Sequence, residues 1–385
     1  MQIPKDVQEI LQSLTFEGHE AVIVGGCVRD SLMGLAPKDW DIATSAQPDE
    51  VKKVFRHTVD TGIEHGTVSV IINQQAYEVT TYRIDGLYKD GRRPTEVTFT
   101  TDLEEDLSRR DFTMNAIAYS PVVGLVDPFN GVNDIKNKNI RCVGHAPSRF
   151  TEDALRMMRA IRFAAQLSFS IDPETYAAIA PLANRIQMVS VERIREELTK
   201  TLASPNPGVL PLLEETGLWF FPKLELERAV PWLTMCPKEP AMLYALLYAD
   251  EKFMRQLKFD NHCIKETDTY TRWLTKYIPN SNYNIKVALN EMGAEQFQKL
   301  LILKNIIEPN EHWNKVRASC ERILLSNECY TLKDLAVNGQ DLIEIGIAPG
   351  ENMGRIIAKL LDTVMKTADT NDKSALLEIA CKFLD

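Results

Sequence analysis

Apolar residues Val7, Ile10, Leu11 and Leu14 recur at the spacing of one helical face and predict a helix over 5–18, stopped by Gly18. Ala21–Val24 is a short apolar run ending at Gly25-Gly26 and predicts a strand. Trp40–Thr44 predicts a second strand, and Glu96–Thr100 another. Alternation over Thr67–Ile72 and Ala76–Arg83 predicts a hairpin turning at Asn73-Gln74-Gln75. Asp85–Pro94 is polar, with Gly86, Gly91 and Pro94, and predicts a loop. From Thr151 onward the spacing becomes almost wholly helical, interrupted at Pro173, Pro181, Ser204–Pro207, Pro222, Pro237, Pro279 and Pro309. No internal repeat or low-complexity tract is present. The pattern predicts an α+β chain. A head over 1–145, a mixed sheet with helices, precedes an elongated all-α remainder divided into a neck (146–203), a body (204–275) and a tail (276–385).

Composition narrows the class without naming a function. The chain has 385 residues, 44% of them hydrophobic and 25% charged, as in ordinary globular proteins. No apolar run approaches the roughly 18 residues of a membrane span. The opening residues Met1–Asp6 lack the pattern of a secretory signal. Seven cysteines are scattered singly with no CxxC pair, which suits a reducing cytoplasm and argues against a disulfide framework or a Cys-type zinc site. The net charge of −10 gives no compositional support for RNA binding, which would depend on local basic patches.

The chemistry concentrates in Gly25-Gly26-Cys27-Val28-Arg29-Asp30 and Lys38-Asp39-Trp40-Asp41. Two glycines after a strand let backbone N–H groups approach a polyphosphate, and a following helix N-terminus adds partial positive charge. Arg29 can add a fork of donors. If Asp39 and Asp41 alternate on a strand, both carboxylates share one face, with Trp40 opposite. Such a pair is costly unless neutralised, and carboxylates with triphosphate oxygens suit Mg²⁺. Two such ions could clamp an in-line phosphoryl displacement. The plain alternative is a solvated Asp-x-Asp turn. Glu78, on the next hairpin, could bring a third carboxylate to the metals or the attacking hydroxyl, or could simply face solvent.

These residues resemble the first motif of the class II tRNA nucleotidyltransferases, in the polymerase-β-like superfamily. Four further blocks follow in that family's order. Arg109–Ala116 resembles the second motif. Asp127-Pro128-Phe129-Asn130-Gly131, with Asp134, resembles the third, although Asn130 stands where a second glycine is commoner. Glu152-Asp153-Ala154-Leu155-Arg156, continuing to Arg159 and Arg162-Phe163, resembles the fourth. Ser190–Ile194 with Glu196-Glu197 resembles the fifth. The blocks span 25–197, with weaker similarity over Asp334–Leu361. The resemblance implies a polymerase-β-like nucleotidyltransferase head, and template-independent addition of C, C and A to the 3′ end of tRNA from CTP and ATP with Mg²⁺.

Residues 151–167 predict one helix, with Thr151 able to cap it. At about 100° per residue, Asp153, Arg156 and Arg159 span a third of its circumference and can face one pocket. Asp153 can accept from the exocyclic amine common to cytosine and adenine, and Arg156 can donate to the same edge. Uracil and guanine carry a carbonyl there and would leave the carboxylate unpaired. The resemblance likewise makes Asp153 and Arg156 the amino-acid template, while Arg110, Arg159 and Arg162 would hold triphosphate or sugar. Surface i,i+4 ion pairs among Glu152, Arg156 and Arg159 are the bland alternative. In the family, a flexible loop at the position of 83–94 accompanies complete CCA addition.

No RRM, KH or zinc-knuckle pattern occurs, so recognition of the acceptor stem and T-arm of tRNA would be by shape and backbone contact. Residues 252–325 carry about four more Lys and Arg than Asp and Glu. Asn338-Gly339 and Pro349-Gly350 could offer helix N-termini to phosphates. No obligate protein partner is evident. The nearest rival is a bacterial poly(A) polymerase, whose relatives usually carry basic extensions. Enzymes adding only CC or only A are a second variant. A sugar-nucleotide glycosyltransferase also uses Asp-x-Asp with a metal, but leaves Glu152–Arg156 unexplained. A non-catalytic RNA-binding relic would leave the cost of the Asp pair unexplained. No His-Asp dipeptide suggests an appended phosphohydrolase.

Overall fold

A computed structural model describes residues 1–86, 97–221, 224 and 226–383. The chain divides into two compact units, 1–230 and 231–385.

In the first unit, Lys5–Phe16 (α1) buries Val7, Ile10, Leu11 and Leu14. Ala21–Val24 (β1) runs through Gly25, at φ +78°, into Gly26–Leu32 (α2). Asp41–Thr44 (β2) and Pro48–Val54 (α3) follow. Then come Thr58–Gly62 (β3), Thr67–Ile72 (β4) and Gln75–Thr81 (β5). The β4–β5 hairpin turns on Asn73 and Gln74, both at positive φ, as a two-residue turn compatible with strand twist demands. Arg83–Asp85 (β6) pairs with Val97–Phe99 (β7); residues 87–96, most of the sequence-predicted 83–94 loop, lie outside the described residues.

Leu103–Ser108 (α4), Ala118–Ser120 (β8), Gly124–Val126 (β9) and Gly131–Lys136 (α5) complete the head motif region. The main sheet runs β3-β4-β5-β2-β1-β8-β9. It is mixed: β2 lies parallel to β5 and antiparallel to β1. Apolar residues at alternate positions build the layer of Val22, Val24, Ala43, Leu103, Leu107 and Ala118 on one side of it.

Asn139–Ile140 (β10) pairs in parallel with Ser170–Ile171 (β11), so a small strand pair reaches into the segment read as purely helical. Between these strands, Ala146–Glu152 (α6) and Leu155–Leu167 (α7) are two helices rather than the single predicted one. The chain breaks at Asp153, φ −137° and ψ 103°. Thr151 is therefore no cap: it sits in the last turn of α6 and its hydroxyl donates to the Pro147 carbonyl. Pro173–Ala177 (α8), Ile179–Leu182 (α9) and Val191–Leu202 (α10) follow, and α10 packs along α7.

The second unit is helical among its described residues. Its longest elements are 282–307, which bends at Gly293 (φ +80°), together with 311–325 and 351–366. The last of these buries Ile356, Leu360 and Val364 in a cluster with Leu342 and Leu376. At the predicted helix starts, Asn338 caps its own helix while the Asp341 carboxylate accepts from the Asn338 N–H, so an internal acid occupies that terminus. Lys304, nearly fully buried, donates to the carbonyls of Leu274 and Lys276, and burial lowers its pKa to about 8. Among the described residues no helix is long and apolar enough to cross a membrane.

Candidate active site

A cavity of about 670 Å³ in the first unit gathers every motif block but the third. Its walls include Gly25, Gly26 and Arg29 from the β1–α2 junction, and Asp39 and Asp41 at the head of β2. Arg109, Arg110, Asp111 and Asn115 come from the segment after α4. Asp153, Arg156, Arg159, Arg162 and Phe163 come from the α6–α7 break and α7, and Arg193 and Lys200 from α10.

Asp39 and Asp41 share this cavity for a different reason than strand alternation. Only Asp41 belongs to β2; Asp39 lies in the bend before it. Both stay accessible. The surrounding wall desolvates the Asp41 carboxyl and raises its pKa; Arg110 opposes this and Asp39's charge adds to it. A divalent cation would relieve that repulsion, and the donors are all oxygen, as magnesium prefers. Among the described residues no group of three or more acidic, His or Cys side chains is placed to hold a metal ion, so further ligands would be phosphate oxygens and water. Glu78 is exposed on β5, one step before Val79, which pairs with Ile42; it is not part of the cavity wall.

Close approach at the glycines is real. A Cβ on Gly25, already at positive φ, would meet Arg110 Nη1 at 3.0 Å and Asp41 Oδ2 at 3.7 Å. Arg110 donates through Nη2 to Asp106 at 3.3 Å, while its buried Nε–H meets no acceptor, a donor suited to an anion in the cavity.

The remaining arginines of the wall are held by carboxylates. Arg29 pairs with Asp30 at 2.6 Å and donates to Asn115 Oδ1 at 2.7 Å. Arg109 pairs with Asp106 at 2.7 Å. Arg159 donates twice to Asp111 Oδ2, at 2.8 and 2.6 Å, and Arg162 lies 2.5 Å from Glu197. Burial alone would raise the Asp111 pKa; the Arg159 guanidinium and the Asn115 amide overcome it and hold the carboxyl well below the usual range. Arg156 donates to Glu152 at 2.9 Å and to the Arg109 carbonyl at 2.7 Å. The i,i+4 pair foreseen as a bland alternative therefore exists, but it lies on the wall rather than on an open surface. Asp153 accepts from Arg193 at 2.8 and 3.3 Å. The eight basic groups on the wall (Arg29, Arg109, Arg110, Arg156, Arg159, Arg162, Arg193, Lys200) are offset by Asp39, Asp41, Asp111 and Asp153 beside them, and by Asp30, Asp106, Glu152 and Glu197 behind, with Glu152 shared with Arg149.

The third motif braces the site from outside. Asp127 accepts from the N–H groups of Gly131 and Val132 at the start of α5. Asn130 sits at φ +61°, a left-handed conformation that asparagine tolerates, so its departure from the family's glycine costs little. Gly131 has no such freedom: a Cβ there would lie 2.1 Å from the Thr113 carbonyl oxygen.

A Poly A polymerase head domain model matches residues 21–141, an RNA and SrmB-binding site of polymerase A model matches 168–226, and a tRNA nucleotidyltransferase domain 2 model matches 241–380. The chain is 38% identical to the CCA-adding enzyme of Levilactobacillus brevis, over 96% of this chain and 95% of that one. It is 41% identical to the Geobacillus sp. CCA-adding enzyme, over 92% and 90%. The chain belongs to the CCA-adding enzyme family. Its fold agrees with that of the Bacillus stearothermophilus CCA-adding enzyme in complex with CTP, with a TM-score of 0.86 at 34% identity over 99% and 98% of the two chains.

Against this family background, all the residues given a catalytic or nucleotide-binding part from sequence, except Glu78, line the one cavity. Arg109, Asp111, Asn115, Phe163, Arg193 and Lys200 also line it but were not singled out as site residues. All but Lys200 lie inside the quoted motif blocks, so the signal was present. Lys200 lies beyond Glu197 on α10, outside any block.

Proposed function

We propose that this protein adds C, C and A in turn to the 3′ end of tRNA, consuming CTP and ATP and releasing pyrophosphate. The observation that carries this reading is the placement of Asp39 and Asp41 in the same cavity as Asp153 and Arg156. A carboxylate pair suited to phosphoryl transfer thus stands across one nucleotide-sized space from a donor–acceptor pair suited to a base edge.

Asp39 and Asp41 would hold Mg²⁺, two ions in all, and magnesium bound there would neutralise charge developing on the attacking and leaving oxygens. Gly25 and Gly26 admit the triphosphate to the β1–α2 turn, and Arg29, Arg110, Arg159 and Arg162 supply its donors. Glu78, exposed on β5 and outside the cavity wall, is left without a role in this reading. Asp153 accepts from the amine of cytosine or adenine and Arg156 donates to the neighbouring acceptor, so uracil and guanine are refused by an unpaired carboxylate. Head, neck, body and tail boundaries at 145, 203 and 275 belong to the same proposal, with the tail and the basic excess of 252–325 on tRNA backbone.

The test supplies tRNA lacking CCA with each labelled nucleoside triphosphate, singly and in pairs. The expected product stops after two C and one A. Long A tails would make the protein a poly(A) polymerase, and a stop after two C a partial enzyme.

A further inference from the structure

The α7 face that carries Arg159 and Arg162 also carries Phe163, since residues three and four apart share a helical face. The Phe163 ring is buried, and its edge-to-face contact with fully buried Phe112, at 5.8 Å and 87°, fixes its orientation. Three guanidiniums gather on it. Arg162 lies 3.8 Å from the ring centroid, Arg29 5.2 Å and Arg159 5.3 Å. Two of these come from α7, in the fourth motif, and the third from α2, in the first.

Three like charges around so small a space repel one another. Asp30, Asp111 and Glu197 balance their charge, but each of those carboxylates could also draw its arginine toward itself and away from the cavity. An aromatic quadrupole attracts all three at once without competing for their N–H donors. We propose that Phe163 is a positioning residue of the nucleotide site: its ring sets the three guanidiniums so that their N–H groups converge on a triphosphate. This rests on the nucleotidyl-transfer reading above for the identity of the ligand. Preorganised donors aimed at the phosphates carry binding and catalysis; donors that must first be assembled lose part of both.

The probe is inorganic pyrophosphate, which has phosphates but no base or ribose, with binding followed by calorimetry. Phe163→Leu keeps an apolar side chain but removes the quadrupole, and should weaken pyrophosphate binding by about tenfold. The KM for CTP and ATP should rise, while the KM for tRNA and the preference for CTP over UTP stay unchanged. Phe163→Tyr, which keeps the ring, should restore binding to within about threefold of the parent. Where the leucine variant fails to fold, fluorinated phenylalanines at 163 decide. Each added fluorine withdraws ring charge with little change of shape, so affinity should fall stepwise with fluorine number. Pyrophosphate affinity that ignores both the fluorine series and the leucine change overturns the proposal. Failure of the parent protein to extend tRNA would overturn the functional reading instead, and would leave the fluorine trend to be judged on its own.

Discussion

The Arg193 guanidinium donates two hydrogen bonds to the Asp153 carboxylate, at 2.8 and 3.3 Å, across 40 residues of chain. Asp153 sits at the break between α6 and α7: its N–H still donates to the Arg149 carbonyl, but its φ and ψ leave the helix. The carboxylate assigned to the base is therefore held by an internal donor from α10. Arg193→Ala leaves the Asp153 carboxylate only the Leu155 N–H, at 3.1 Å, and should loosen its orientation. The ratio of CTP to UTP incorporation should fall by roughly tenfold while the protein stays folded. An unchanged ratio in a direct competition would remove Arg193 from base choice.

Arg156→Ala deletes the donor itself. Base discrimination should relax more than in the Arg193 variant, by roughly 10- to 100-fold, with the same CTP and UTP competition as readout. Its thermal stability should also drop, because the Arg109 carbonyl loses its donor and Glu152 keeps only Arg149.

Asp39→Ala should lower turnover by on the order of 10³-fold, since the carboxylate pair can no longer hold its cation. Binding of tRNA, measured by filter retention, should be unchanged. Loss of folding, or full turnover, would count against the metal role.

Gly131→Ala drives a methyl group into the Thr113 carbonyl and should destabilise the protein by about 3 kcal/mol. Asn130→Gly, one residue earlier, should shift stability by less than about 1 kcal/mol, because Asn130 already holds a left-handed conformation. Calorimetric unfolding of the pair separates steric need from conformational tolerance.

Asp111 gives a pH prediction. Its carboxyl is held below the ordinary range, so its contribution to stability is complete above about pH 4 and is lost as pH falls toward the folded-state value. Asp111→Asn removes that acid limb: urea midpoints should fall less steeply below pH 4 than in the parent. At neutral pH the variant should be less stable by roughly 3–5 kcal/mol, because Arg159 loses its buried partner.

Most of the site could be read from the sequence because its residues come in short blocks whose order is itself informative. The strand into Gly25-Gly26 and the turn at Asn73-Gln74 follow from local rules that nothing distant overrides. The α6–α7 region was harder. Apolar spacing over 151–167 is continuous, yet the ion pair from Arg193 and the Arg156 bond to the Arg109 carbonyl accompany a break that periodicity cannot reveal. The same holds for Asp39. Alternation on a strand predicted a shared face, whereas the bend before β2 delivers that residue to the cavity. Lys200, a lone lysine on α10, carries no local signature and depends wholly on tertiary placement.

The carboxylates behind the cavity wall offset most of its surplus of cations, so its mouth projects little long-range field. Capture of a small nucleotide should then rely on exchange of partners at contact rather than on attraction from afar. Its association rate should vary only weakly between about 50 and 300 mM salt, a range over which a strongly charged mouth would show marked slowing.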